Sequence, residues 1–262
     1  MKLFDNETAV VTGAGNGIGR AIAQALVSEG VDTVFADINA DTAQAAVAQV
    51  QGGPGKAYVW AGDLGQRSEC AGLLGFATDT LGPVHLFVHS ASPPRHEKDH
   101  LFAVDDDTWR QMHAVNVDAA FYLSREFARQ MVSHDIAGSL LLLTSLHAQS
   151  PRNLPHYSSS KGAMDMLVKE LAKSLGRYGI RANALVPGAI AAGGFKADPA
   201  MAKHIPLGRL GEAQDLAPMA LAVLSNRSGG YVTGTSIVID GGIALTNWFD
   251  PPDFAGVDFK GA

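Results

Sequence analysis

Cysteine is almost absent from this sequence: Cys70 is the only one among 262 residues. A single thiol cannot form an internal disulfide, and a low cysteine content is typical of proteins from reducing compartments. No partner motif surrounds Cys70, so we interpret it as a buried or incidental thiol rather than a nucleophile. We also expect no bound metal.

Long apolar runs and an excess of basic charge are missing as well. The longest apolar run, SLLLLTS at 139–145, is too short to span a bilayer. The sequence enters a strand-like pattern directly after its first residues, so we expect no signal peptide, no membrane association and a cytoplasmic location. A formal net charge of −6 argues against nucleic acid as the main partner, because contacts to phosphates need a basic surface.

Strand-like apolar runs do occur, and they alternate with helix-like tracts along most of the chain. The strand candidates are 8–13, 32–37, 56–63, 85–92, 139–145, 181–188 and 236–240. The helical tracts between them include 17–29, 39–51, 108–133, 158–178 and 213–225. Continuous apolar strands indicate burial on both faces. The pattern therefore predicts a single-domain, Rossmann-type α/β fold, a doubly wound parallel sheet of about seven strands with helices on both faces.

Two loops interrupt this alternation where strands end. Residues 93–107 follow the fourth strand and residues 189–212 follow the sixth. Open α/β sheets bind ligands at the carboxyl ends of their strands, so we expect both loops to contact the substrate of one catalytic domain, 1–262. The tail 245–262, rich in aromatic residues and proline, is expected to close this pocket or that of a neighbouring subunit.

A glycine-rich turn, TGAGNGIGR, follows the first strand and leads into a helical tract. Gly13, Gly17 and Gly19 have the spacing G-x-x-x-G-x-G. Such a turn lets the backbone approach a diphosphate at the N-terminus of a helix. A purely structural loop is the alternative, but the position between the first strand and the first helix favours a nucleotide site.

Aspartates end the second and third strands. A carboxylate at Asp37 can accept hydrogen bonds from ribose hydroxyls and would repel a 2′-phosphate. Asn16 and Ile38 stand where an arginine could have offset that repulsion, so we predict NAD rather than NADP. Asp63 lies where a contact to the adenine edge is expected. A helix cap is the alternative at both aspartates.

Tyr157 and Lys161 stand four residues apart in YSSSK, on one face of a helix. Hydride transfer between a carbonyl and an alcohol needs a group that exchanges the hydroxyl proton. A phenol normally titrates near pH 10, and a nearby ammonium and an oxidised nicotinamide would both favour the phenolate. Ser145, at a strand end, is placed to bind the substrate oxygen, and Asn116 could hold a water linking Lys161 to solvent. An ordinary surface pair and a turn serine are the alternatives.

Five motifs in order resemble the short-chain dehydrogenase/reductases: TGAGNGIG, the Asn116 segment HAVNVDAAF, YSSSK, RANALVPG and IVIDGG. The resemblance covers about residues 5–245 and implies the same catalytic roles for Ser145, Tyr157, Lys161 and Asn116, and a homotetramer. We expect the cofactor to be bound by Gly13, Asn16, Gly17, Ile18, Gly19, Asp37, Asp63, Leu64, Ser90, Ala91, Tyr157, Lys161, Pro187, Gly188 and Ile190.

Two departures from the family pattern concern the cofactor. Family members usually read Asn-Asn-Ala-Gly after the fourth strand, whereas this chain has HSAS at 89–92, so Ser90 and Ser92 replace an Asn and a Gly. Ala192 replaces the threonine that usually holds the carboxamide.

A third departure concerns the catalytic serine. Ser145 precedes Tyr157 by twelve residues rather than the usual thirteen. Either the loop is one residue shorter or Thr144 takes the role, and the pattern S-L-H-A favours Ser145.

Polar side chains dominate the segments expected to form the pocket walls. They are Arg95, His96, His147, Gln149, Arg152, Asn153 and His156. Such side chains suit a hydroxyl-rich or anionic small molecule rather than a long acyl chain or a steroid, although half of them could simply face solvent. The stretch SLHAQSPRNLPHY followed by PGAI is also similar to bacterial glucose and other aldose 1-dehydrogenases.

The leading hypothesis is therefore an NAD-dependent dehydrogenase of a sugar, sugar acid or polyol. A ketone or 3-oxoacyl reductase working in the opposite direction is a second hypothesis. Asp37 and the polar pocket disfavour it, because biosynthetic reductions usually draw on NADPH. A catalytically retired NAD-binding scaffold or sensor is a third, supported only by HSAS and Ala192.

Overall fold

The computed structural model describes residues 2–96, 99–192 and 199–245. Its strands are β1 Thr8–Thr12, β2 Asp32–Asp37, β3 Ala57–Ala61, β4 Leu86–His89, β5 Ser139–Leu143, β6 Arg181–Pro187 and β7 Ser236–Ile239. They form one sheet in the order β3-β2-β1-β4-β5-β6-β7, and every neighbouring pair is parallel. The predicted seven-stranded parallel sheet is confirmed.

Helices surround this sheet. They are α1 Gly17–Ser28, α2 Ala40–Ala48, α3 Arg67–Leu81, α4 Asp106–His113, α5 Ala120–Ser133, α6 Pro155–Leu175, α7 Ala217–Leu224 and α8 Asn226–Gly229. Within the described ranges, none of them has both the length and the apolarity needed to cross a membrane.

Apolar side chains of each central strand alternate between two buried clusters, one on each face of the sheet. Val11 of β1 packs in the cluster that contains residues of α1 and α7. Val10 packs in the cluster that contains residues of α3 and α5. Burial on both faces explains why the strands are apolar throughout rather than alternating with polar residues.

The register aligns the carboxyl ends of the central strands at one edge of the sheet. Thr12, the last residue of β1, pairs with Ala36 in β2 and with His89 at the end of β4. On the other side, Leu143 at the end of β5 pairs with Leu185 in β6. After β1 the chain crosses to β2 on one side, and after β4 it continues to β5 on the other side. A crevice therefore forms between the ends of β1 and β4, where such folds bind ligands.

Several element boundaries differ from the predictions. The tract 108–133 is not one helix, because a π-helical segment at Ala114–Ala119 separates α4 from α5. The strand predicted at 85–92 ends at His89, so residues 90–92 are free to line the crevice. Helix α6 begins at Pro155 rather than at 158, since proline fits the first helical turn.

Helix α3 is absent from the predicted tracts. Only Cys70, Leu73 and Ala77 of this helix are buried, and its apolar periodicity is correspondingly weak. Gly72 and Gly75 within it also lower its intrinsic helix propensity. Burial of Cys70 agrees with the interpretation of this residue as a structural thiol.

Candidate active site

The glycine turn between β1 and α1 packs backbone directly against backbone. Gly13 has φ +66°, and a Cβ on it would lie 2.8 Å from the Ala91 nitrogen. A Cβ on Gly19 would lie 2.2 Å from the Gly13 carbonyl oxygen, which no side chain permits. The turn is therefore compatible only with glycine at both positions, and it leaves the first residues of α1 open to a ligand, as a diphosphate requires.

A cavity of about 230 Å³ opens in front of the N-terminus of α1. Its lining residues are Asn16, Gly17, Arg20, Ala191, Ala192, Glu212, Ala213 and Gln214. The Asn16 side chain accepts a hydrogen bond from the Gly17 nitrogen at 2.7 Å and so caps the helix. The helix N-terminus and the Arg20 guanidinium both favour a negatively charged group here.

Asp37 joins the glycine turn to the end of β2. Its carboxylate accepts hydrogen bonds from the nitrogens of Gly15 at 2.8 Å and Asn39 at 3.0 Å. Each carboxylate oxygen keeps a lone pair for a further donor, such as a ribose hydroxyl. Asp63, after β3, accepts a hydrogen bond from the Gly65 nitrogen, and Leu64 between them is buried.

The residues after β4 are held by a buried hydroxyl of β1. Thr12 Oγ1 accepts hydrogen bonds from the nitrogens of Ser90 at 3.1 Å and Ala91 at 3.2 Å. The same oxygen lies 3.1 Å from His89 Nδ1. The backbone of Ser90 and Ala91 is therefore fixed beside Gly13, even though the family sequence differs at this point.

His89 connects this corner to the segment that carries Asn116. Its ring is fully buried, and burial together with the positive charge of Lys161 lowers the pKa of His89 to about 3. The ring is neutral at physiological pH, so Nε2 donates to the Val115 carbonyl oxygen at 3.1 Å and Nδ1 accepts from the Thr12 hydroxyl.

Lys161, one turn beyond Tyr157 on α6, is buried. Its ammonium donates a hydrogen bond to the Leu143 carbonyl oxygen at 2.7 Å and lies 5.6 Å from the centroid of the Tyr157 ring. Burial, together with the positive charge of Arg95, lowers the pKa of Lys161 to about 7. Its protonation state therefore changes near neutral pH, close to the phenol.

Asn116 lies in the π-helical segment, where the widened turn carries its side chain toward α6. Its Nδ2 donates to Ser160 Oγ at 2.9 Å, and Ser160 in turn donates to the Tyr157 carbonyl oxygen at 2.8 Å. The Asn116 Oδ1 atom is buried without a protein hydrogen-bond partner among the described residues. This atom could accept a hydrogen bond from a water molecule, consistent with the predicted water site.

The two candidates for the catalytic serine are in different environments. Thr144 Oγ1 donates to the Leu185 carbonyl oxygen within the sheet at 3.2 Å. Ser145 follows the end of β5, and its hydroxyl accepts a hydrogen bond from the His147 nitrogen at 3.2 Å. The Ser145 hydroxyl can still donate its proton, which favours Ser145 over Thr144 as the group that contacts the substrate.

Among the residues predicted to bind substrate, Arg95 and His147 contact the Tyr157 ring. The Arg95 guanidinium carbon lies 4.4 Å from the ring centroid, and the His147 ring packs edge-on at 5.1 Å. Burial and the charges of Arg95 and Arg152 lower the pKa of His147 to about 4, so its ring is neutral and retains one acceptor nitrogen. Arg95 itself is exposed to solvent, and so are His96, Gln149, Arg152 and Asn153.

His156 differs from its predicted role as a pocket wall. The ring is completely buried and neither nitrogen has a hydrogen-bond partner among the described residues. Its Nε2 lies 3.6 Å from Asp99 Oδ2, and burial lowers the pKa of His156, so this contact is not an ion pair at neutral pH. His156 and Tyr157 are thus both buried at the start of α6.

The loop after β6 completes the crevice. Gly188 donates to the Ile239 carbonyl oxygen, and a Cβ on it would lie 2.6 Å from the Asp240 Cα atom. Ile190 pairs with Gly211 in an isolated β-bridge, so the two ends of this loop lie together beside the cavity that Ala192 and Glu212 line. The expected contribution of the tail 245–262 falls outside the described residues, apart from Leu245.

Three residues of the site were not predicted: Arg20, His89 and Ser160. Arg20 directly follows the last glycine of the turn, and Ser160 lies inside YSSSK, so sequence motifs could have indicated both residues. His89 was visible only as a departure from the family pattern, because its contacts to Thr12 and Val115 depend on the tertiary fold.

A parallel sheet with a glycine turn at the β1–β4 crevice and a buried Tyr/Lys pair beside it defines a nucleotide-binding oxidoreductase of the Rossmann type. Residues 13–244 match the family model described as Enoyl-(Acyl carrier protein) reductase.

Named relatives give the same assignment. The 7alpha-hydroxysteroid dehydrogenase of Escherichia coli (strain K12) is 34% identical over 246 residues, covering 91% of this chain and 94% of that protein. The L-rhamnose 1-dehydrogenase (NAD(P)(+)) of Sphingomonas sp. (strain SKA58) is 31% identical over 253 residues, covering 93% and 98%.

A solved structure of 7alpha-hydroxysteroid dehydrogenase, complexed with NADH and 7-oxo glycochenodeoxycholic acid, matches with a TM-score of 0.85. It is 33% identical and covers 91% of this chain and 94% of that one. The chain belongs to the short-chain dehydrogenase/reductase family. The relatives named above are nicotinamide-dependent oxidoreductases that act on CH–OH groups.

Replacing His89 by phenylalanine tests the link between Thr12 and Val115. The variant keeps a ring but loses both hydrogen bonds, so the free energy of unfolding should fall by about 2–5 kcal/mol. His89→Asn, which keeps a donor and an acceptor, should lose less. Urea unfolding followed by circular dichroism measures both, with His134→Phe on the exposed end of α5 as the control. Equal losses for His89→Phe and His134→Phe would contradict the link.

Proposed function

We propose that this protein is an NAD-dependent dehydrogenase of a small polar alcohol, a sugar, sugar acid or polyol, with Tyr157 as the general acid and base. The observation that carries the proposal is the buried cluster around the start of α6. Tyr157, Lys161 and Ser145 are each less than 8% exposed, and Asn116 is joined to this cluster through Ser160.

Three features of the crevice fit a nicotinamide dinucleotide. The glycine turn lets the backbone contact the ligand, the α1 N-terminus offers positive potential, and Asp37 offers an acceptor for hydroxyl groups. When bound, NAD supplies the acceptor for the hydride. Ala91, Gly188 and Ile190 are the residues proposed to contact its nicotinamide half.

The proton is the part of the reaction that this chain handles itself. In our proposal the substrate hydroxyl donates to Tyr157 Oη while the Ser145 hydroxyl donates to the substrate oxygen and fixes its position. The Lys161 ammonium stabilises the phenolate that must precede proton abstraction. Asn116 and a water held by its Oδ1 return the proton to solvent by way of Lys161.

The polarity of the residues around Tyr157 supports a small polar substrate. Arg95 and His147 contact its ring, and neither offers the apolar wall that a steroid needs. A relative named for L-rhamnose agrees with this substrate class, whereas relatives named for hydroxysteroids do not. We therefore infer the substrate class from the side chains around Tyr157 rather than from the names of the relatives.

Assembly into a homotetramer is proposed from the apolar surface of α5 and α6. Phe121, Met166 and Tyr178 are each about half exposed there, beside a groove of about 510 Å³. A second copy of this chain is the proposed occupant. The single catalytic domain and the cytoplasmic location stay predictions.

Purified protein supplied with NAD and a panel of sugars, sugar acids and polyols should produce NADH, followed by its absorbance. Tyr157→Phe should lower kcat by at least the 10²–10⁴-fold typical of a lost general acid–base. Tyr231→Phe, which changes a fully exposed tyrosine, should leave the rate unchanged.

Two results of this panel would reject the proposal. Oxidation of NADPH with ketones, without NAD reduction by any alcohol on the panel, would assign the protein as a reductase. Tight NAD binding with no turnover in either direction would assign it as a scaffold. Faster turnover of a 7α-hydroxysteroid than of every polar alcohol would reject the substrate class alone.

Replacing Asp37 by serine should shift the cofactor preference toward NADP. Loss of the ribose acceptor should lower kcat/KM for NAD by about 10–100-fold, since hydrogen bonds to a charged group are worth more than neutral ones. Adding Ile38→Arg should raise kcat/KM for NADP further. Steady-state kinetics with both cofactors measure this, and Asp41→Ser is the control. An unchanged NAD/NADP ratio would show that Asp37 does not contact the ribose.

Light scattering after size-exclusion chromatography should detect four copies of the chain. A double variant, Phe121→Glu with Met166→Glu, places charge on the α5–α6 surface and should yield smaller species. Leu101→Glu, on an exposed loop residue, should remain tetrameric. A monomeric wild-type protein would refute the assembly.

A further inference from the structure

We propose that Arg95 makes this site specific for hydroxy acids, alcohols that carry a carboxylate one or two carbons from the reacting carbon. The inference deepens the proposed function and rests on it, because it assumes that the reacting hydroxyl binds at Tyr157. Within the broader class of small polar alcohols, Arg95 selects hydroxy acids over neutral sugars and polyols.

The position of Arg95 relative to Tyr157 is the first support. The guanidinium carbon lies 4.4 Å from the centroid of the phenol ring, so the cation stacks on the group that would exchange the proton. A substrate oxygen hydrogen-bonded to the Tyr157 hydroxyl is therefore within a few bonds of the guanidinium N–H groups. A planar guanidinium binds a carboxylate through two parallel hydrogen bonds.

The segment that carries Arg95 packs against the helix that carries Tyr157. Asp99 accepts a hydrogen bond from the His96 nitrogen at 2.8 Å, and its carboxylate lies 3.6 Å from the buried His156 ring. His156 directly precedes Tyr157 on α6. Arg95 and Tyr157 therefore flank a packing contact between Asp99 and His156, which keeps the guanidinium close to the phenol.

Charge around the phenol is the second support. Burial lowers the pKa of Lys161 and of His147 most, the positive charge of Arg95 adds to both shifts, and Arg152 adds to that of His147. Positive side chains therefore surround the phenol in a chain whose net charge is −6. A bound carboxylate would add a negative charge beside Arg95 and favour the protonated form of Lys161, which the reaction needs.

Matched pairs of alcohols test the inference, each pair differing only in a carboxylate against a CH₂OH group. Suitable probes are glycerate with glycerol, 3-hydroxybutyrate with 1,3-butanediol, and gluconate with glucitol. In at least one pair the wild type should have a kcat/KM for the acid about 10–100-fold above that for the alcohol. Arg95→Gln should abolish this preference, measured as the ratio of acid to alcohol kcat/KM within each pair, and Arg95→Lys should retain part of it. Arg110→Gln, an exposed arginine paired with Asp106 and Asp107, is the control.

Binding provides a readout that does not depend on turnover. Malonate titrated into the protein with NAD present should bind to the wild type and to Arg110→Gln, and at least tenfold more weakly to Arg95→Gln. Equal turnover of acids and neutral alcohols by the wild type would overturn the inference while leaving the proposed function intact. If no alcohol is oxidised, the proposed function fails, and loss of malonate binding in Arg95→Gln alone would still establish the anion site.

Discussion

The rest of the site depends on the hydrogen bonds of the Thr12 hydroxyl. It accepts two backbone hydrogen bonds from Ser90 and Ala91 and donates a third to His89, so it joins the ends of β1 and β4 at the crevice of the sheet. His89 extends this connection to Val115, next to Asn116. The glycine turn and the residues proposed to transfer the proton are therefore parts of one buried hydrogen-bonded structure rather than two neighbouring sites.

Sequence patterns predicted the parts of the site whose geometry is local. The glycine spacing follows from the tight turn into α1, and the common face of Tyr157 and Lys161 follows from helical periodicity. The seven-stranded parallel sheet agrees with the prediction because continuous apolar strands joined by helices leave few alternative topologies. The π-helical turn at Asn116 and the burial of His156 were not predictable, since both result from packing between α4, α6 and the loop after β4. Helix α3 was missed because too few of its residues face the core.

Electrostatics differ between the two ends of the crevice. Among the residues that the structure describes, buried Lys161 donates to the Leu143 carbonyl oxygen and is affected by the charge of Arg95. A cation kept in such surroundings costs free energy, which a protein site can recover when a complementary charge binds. In contrast, the Asp37 end of the crevice is negative and is stabilised by backbone N–H groups. The two ends of the crevice thus prefer opposite charges.

The long separation along the chain between Thr12 and His89 also affects how the protein folds. These groups are 77 residues apart, and β1 pairs with β2 on one side but with β4 on the other. During synthesis, a chain ending after β3 has the glycine turn but lacks the backbone of Ser90 and Ala91 against which Gly13 packs. The nucleotide cradle therefore forms only after β4 has been made and inserted. Slow closure of this non-local pairing is expected to govern when the chain first becomes able to bind its cofactor.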